Sequence, residues 1–180
     1  VERQNSYFNR DIRHFCSHQH TPNNPGEKYP AGIVTENSIY IGWDLFSDYG
    51  KWGSLHSKQL IMKALDALLG KKRTIEVSLP DRGIVTLAKQ STDRRYISHL
   101  LFAYTSIRGE GYIGESAYPM EVIEDLVPLY NVEMTVKLPE KITGVYLAPQ
   151  RQKIPFRKED GGVSYIIPKV DCHQMVVLEY

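Results

Sequence analysis

The sequence predicts a mainly β protein, an antiparallel β-sandwich preceded by a partial α/β segment with one long helix. Three observations carry that prediction. After residue 72 seven short strand-like runs are punctuated by Gly and Pro, with no helical pattern among them. Before it, one run of apolar residues recurs at helical spacing. The composition changes near residue 70, which divides the chain into segments 1–71 and 72–180.

In the first segment, GIVTENSIYIGWDLFSDYG reads as strand, turn, strand and loop, with Glu36-Asn37-Ser38 at the turn and Ile39-Tyr40-Ile41 as a short buried run. In SLHSKQLIMKALDALLG, Ser54 is suited to cap a helix N-terminus and Gly70 to end it. Leu60, Ile61, Ala64, Leu65, Leu68 and Leu69 then form one apolar face. The strands of the second segment are expected at 74–79, 84–89, 96–105, 132–137, 144–148, 163–167 and 174–178. The stretch SIRGEGYIGESAYPMEVIEDLVPLY interrupts them as a long connection, and Pro128 blocks any helix begun at Val122. Two or three strands and one helix do not close a core alone. Either the first segment packs on the sandwich, or it is the tail of an α/β domain whose earlier strands lie upstream. The start at Val1 rather than Met favours the second, a piece of a longer protein.

With 180 residues, 42% of them hydrophobic, the chain can bury a real core. Its 22 Lys+Arg and 21 Asp+Glu give a net charge of +1, and Lys71-Lys72-Arg73 is its longest basic run. Phosphate binding needs a concentrated positive face, so no nucleic-acid partner is expected. No apolar run has the length of a membrane span, so no membrane partner is expected either. Two cysteines, Cys16 and Cys172, make no disulfide framework; two unrelated reduced thiols are favoured over the one bridge open to them, and the compartment stays unknown.

The segment HFCSHQH places His14, Cys16, His18 and His20 at alternating positions, which on a strand share one face. Cys16, His18 and His20 are the candidate metal ligands, since an H-x-H pair on a strand can chelate zinc with a thiolate as third ligand. Against that stands a packed strand whose polar groups bond to neighbours or to a partner subunit, because zinc needs three or four converging ligands. Cys16 with a flanking histidine as a nucleophile–base pair lacks an oxyanion hole. In the long connection, Tyr112 and Tyr118 with Arg108 and Glu110 are candidates for carbohydrate contact, rings beside hydrogen-bonding charges; the alternative is that the tyrosines pin the loop to the sandwich. Glu110 and Glu115 as a hydrolytic carboxylate pair would lack a rigid scaffold. Trp43 and Trp52 are expected in the core or an interface. Glu121, Glu124 and Asp125 lack the spacing and central Gly of a calcium loop and read as a solvated face.

YFNRDIRHFCSHQHTP, GIVTENSIYIGWDLFSDYG, SKQLIMKALDALL, VIEDLVPLYNVEMTVKLPEKITGVYLAPQ and CHQMVVLEY occur in this order. Together they resemble the C-terminal end of a bacterial glycoside hydrolase family whose members are described as β-galactosidase-like or α-L-fucosidase-like. The resemblance covers nearly the whole chain. It implies a parent of three parts: a catalytic (β/α)8 barrel, a flavodoxin-like domain akin to the β-galactosidase trimerisation domain, and a β-sandwich. This chain would hold the end of the second part, over 1–71, and all of the third, over 72–180. The family's catalytic carboxylates belong to barrel strands and match no position here.

The expected function is therefore a non-catalytic C-terminal scaffold and oligomerisation region, without cofactor, whose partners are the catalytic barrel and further copies of the chain. A carbohydrate-binding sandwich module and a small metal-binding protein using Cys16, His18 and His20 are the alternatives.

Overall fold

A computed structural model describes residues 2–6, 23–159 and 161–180. The chain divides into two compact units, Val1–Lys72 and Arg73–Tyr180. All strand pairings among the described residues are antiparallel. No helix among them is long and apolar enough to cross a membrane.

In the first unit β1 (Glu2–Ser6) pairs with β2 (Asn23–Pro30), Arg3 opposite Tyr29. A hairpin follows, β3 (Gly32–Val34) and β4 (Ile39–Ile41). Thr35 and Ser38 close it: the Thr35 N–H donates to the Ser38 carbonyl at 2.8 Å, and their hydroxyls lie 2.7 Å apart. Asp44 caps α1 (Leu45–Trp52), its carboxylate accepting the Ser47 N–H at 3.1 Å. Ser54 caps α2 (Leu55–Leu69) by accepting the Ser57 N–H at 3.3 Å, and Gly70 ends it, both as the sequence predicts. The Ser57 hydroxyl in turn donates to Asp48, tying α2 to α1 and holding the Asp48 carboxyl below its usual range.

Two expectations for this unit are corrected. DLFSDYG is not a loop but most of α1. Ile39 and Ile41 are half-buried rather than buried. The apolar face of α2 exists and is half covered: Leu60, Ile61, Ala64 and Leu68 are half-buried, while Leu65 is 42% exposed. Among the described residues, two-stranded ribbons and one short helix are too small to cover a 15-residue helix fully. Leu65→Ala should accordingly cost well under the ~2–5 kcal/mol of a core leucine truncation. Chemical denaturation of the purified chain checks this.

The second unit is a β-sandwich. Its strands in chain order are β5 (Ile75–Val77), β6 (Ile84–Gln90), β7 (Arg95–Leu101), β8 (Ser106–Ile113), β9 (Ser116–Val122), β10 (Leu129–Lys137), β11 (Gly144–Ala148), β12 (Gln152–Lys153), β13 (Phe156–Glu159), β14 (Gly162–Val170) and β15 (His173–Glu179). One sheet has the order β13-β14-β10-β5 and the other β12-β11-β15-β7-β6; β8 and β9 form a separate hairpin. Inward positions alternate along each strand: Tyr96, Ser98 and Leu100; Val132, Met134 and Val136; Val163, Tyr165 and Ile167. The core's polar groups are partnered. Tyr165 donates its hydroxyl to the Met134 sulfur at 3.2 Å, and burial pushes its phenol pKa up. Gly162 is required by close packing, since a Cβ there would stand 2.2 Å from the Val136 carbonyl oxygen.

All seven strands expected from the sequence are present. The run expected at 96–105 stops at Leu101, and the stretch read as one long connection contains the β8–β9 hairpin.

Candidate functional site

The hairpin is built by its glycines. Ser106 pairs with Val122 and Ile107 with Glu121; one extra residue on β8 then makes a bulge, with Gly109 at φ +66°, before Glu110 pairs with Pro119. Gly114 and Glu115 form a two-residue loop, and Gly111 leaves its surface free for the Tyr118 ring, which a Cβ would meet at 2.3 Å.

Two ion-paired groups hold its base. Arg82 contacts Glu121 through two hydrogen bonds of 2.7 and 3.1 Å, and the Thr105 hydroxyl donates to the same carboxylate at 2.8 Å. The guanidinium holds the Glu121 carboxyl below the usual carboxylate range. Arg108 makes a bidentate pair with Glu124, at 2.8 and 3.0 Å. Asp125 is exposed, and with Glu121 and Glu124 engaged by arginines the three acids form no calcium cage.

The predicted carbohydrate residues are placed as follows. Tyr112 donates its hydroxyl to Glu110 at 3.1 Å, so these two share a face. Tyr118 pairs with Gly111 and Tyr112 with Ala117, so the two rings project from opposite faces. Arg108 lies beyond the bulge and is committed to Glu124. The structure therefore joins Tyr112 to Glu110 and separates both from Tyr118 and Arg108. Neither ring is buried against the sandwich: Tyr112 is 66% exposed and Tyr118 43%. The cluster Cys16, His18 and His20, with His14, lies outside the described residues.

The first unit offers a second apolar surface, a groove of about 320 Å3 between the β3–β4 hairpin and the two helices. Ile39, Ile41, Trp43, Phe46, Ile61 and Leu65 line it. Phe46 is 74% exposed and Trp52 80%, so neither Trp52 nor the half-open Trp43 enters the core within this unit. Sequence reasoning missed Phe46, because α1 was not recognised; its signal was Asp44 as N-cap followed by Leu45, Phe46 and Tyr49.

The second unit also holds a cluster in which Lys89 pairs with Glu140 and Tyr96 donates to the same carboxylate at 2.6 Å. The Lys89 ammonium lies 5.5 Å from the ring centres of both Tyr96 and Tyr180. Lys89 first and Tyr96 second hold the Glu140 carboxyl below its usual range. A folded-state pKa lowered in this way stabilises above the unfolded carboxylate pKa, and the contribution is lost as pH falls through the folded value. Thermal unfolding followed from neutral pH to about pH 3 should show a Tm decline that Glu140→Gln makes shallower, with a lower Tm at neutral pH.

No known family model matches the chain, and no curated protein does. Among solved structures, α-L-fucosidase isoenzyme 2 from Paenibacillus thiaminolyticus is similar to it, with 42% sequence identity and a TM-score of 0.85 over 99% of this chain. The chain is thus similar, over nearly all its residues, to a region that makes up 26% of that α-L-fucosidase.

Proposed function

We propose that this chain is a non-catalytic C-terminal scaffold and oligomerisation region of a bacterial glycoside hydrolase acting on α-L-fucosides. One observation carries the reading: 99% of its length is similar, at 42% identity, to 26% of a solved α-L-fucosidase. The first unit is, in this reading, the end of a flavodoxin-like domain, and the sandwich packs on the catalytic barrel of the longer protein.

The local chemistry agrees. Glycoside hydrolysis uses a carboxylic acid whose pKa is raised beside an ionised carboxylate. Glu121 and Glu140 are shifted the other way, each held ionised by a cation. Each unit offers uncovered apolar side chains, Phe46 and Trp52 in the first and Ile113 in the second. An apolar groove such as the one Phe46 lines suits packing against protein. A carbohydrate platform on the hairpin is less favoured, because Tyr112 and Tyr118 face apart.

The test compares this chain with the protein encoded by the reading frame that contains it. Nitrophenyl α-L-fucoside and β-D-galactoside are the substrates. The longer protein should hydrolyse the fucoside, and this chain alone should turn over neither. Saturable turnover by the chain alone, abolished by substitution of one of its carboxylates, would overturn the reading. A longer protein active on the galactoside alone would replace the substrate.

A further inference from the structure

The outer face of the five-stranded sheet carries a pair of histidines that the scaffold role does not use. In the pairing of β7 with β15, Met175 stands opposite His99, and His173 lies two residues before Met175. Alternation puts His99, His173 and Met175 on one face, away from the buried Ser98, Leu100, Gln174 and Val176. His99 Nδ1 and His173 Nε2 are 3.0 Å apart. Their rings are nearly parallel, at 12°, with centres 5.3 Å apart. That separation is what remains when the two nitrogens point at each other, one N–H donating to the bare nitrogen of the other ring. Both backbones are fixed: His99 lies mid-strand, and the turn before His173 is closed by the Phe102 N–H on the Cys172 carbonyl at 2.8 Å.

We propose that His99 and His173 form a cross-strand bis-imidazole site for a copper ion. Two neutral imidazoles on adjacent strands present two nitrogens to one ion once the bridging proton moves to the far nitrogen of its own ring and the rings tilt. Copper stands above zinc in affinity for nitrogen sites, and two imidazoles with water suit the tetragonal geometry of Cu(II). Among the described residues no group of three or more His, Cys, Asp or Glu is placed to hold a metal, so water completes the shell.

The experiment titrates the full chain with copper sulfate against a weak competing chelator and records the Cu(II) electron paramagnetic resonance spectrum. His14, Cys16, His18 and His20 offer rival donors, so the titration is repeated in a chain where all four are replaced by Ala or Ser. One equivalent of copper should persist in that background, with hyperfine splitting from two nitrogens. His99→Ala and His173→Asn should each weaken it by at least about tenfold while thermal unfolding stays cooperative. Copper binding untouched by both substitutions, zinc binding tighter than copper, or no copper bound in the fourfold variant would each overturn the proposal.

Discussion

Ile167→Ala is expected to destabilise the sandwich by about 2–5 kcal/mol, and Ile166→Ala by less than about 1 kcal/mol. The two residues are chemically identical and adjacent on β14. Ile167 is fully buried, while Ile166 is half exposed on the opposite face. Ile167 points between the sheets beside Val132, its cross-strand partner on β10. Truncating it removes apolar contact and leaves a cavity that the rigid sheet does not collapse to fill. The same change at Ile166 trims a side chain that water already reaches. Denaturant unfolding of the two variants, read as a change of midpoint at constant slope, measures the difference. Equal losses would mean that the outer face of β14 is as tightly covered as the inner one.

The second large effect is expected on association. The face of α2 is only half covered, Phe46 and Trp52 stand out from α1, and among the described residues the β3–β4 ribbon has two strands and therefore open backbone edges. An open edge recruits another strand, and an apolar groove recruits apolar side chains. Ile39 and Ile41 belong to both features, lying on β4 and lining the groove. Ile41→Lys should therefore weaken association by about tenfold or more, since a lysine has no partner in an apolar contact and edge charge opposes strand pairing. Its far-UV circular dichroism should stay that of the parent, because Ile41 is only half-buried in the chain by itself.

Which features were legible in the sequence follows from what periodicity reports. The sandwich strands were readable because alternation is strict in runs such as VEMTV, and because Pro and Gly bound them. The limits of α2 were readable because Ser54 and Gly70 are chemical stop signals. α1 was not, because two turns are too short for a repeat to register and Gly50 interrupts them. The β8–β9 hairpin was hidden by its own glycines. Gly109, Gly111 and Gly114 look like loop residues but serve as a bulge, a seat for Tyr118 and a turn. The exposure of Leu65 was illegible in principle: helical spacing shows that residues share a face, not that anything covers it. The same holds for the candidate site. Tyr112, Tyr118, Arg108 and Glu110 are close in sequence, yet pleating and one bulge keep only Tyr112 with Glu110 and send Tyr118 to the other face and Arg108 to another partner.

Sedimentation equilibrium of the purified chain at tens of micromolar tests the proposed scaffold and oligomerisation role most directly. The account predicts a dimer or higher oligomer that Ile41→Lys shifts toward monomer. A clean monomer across that range, with the apolar groove of the first unit open to solvent, would contradict it.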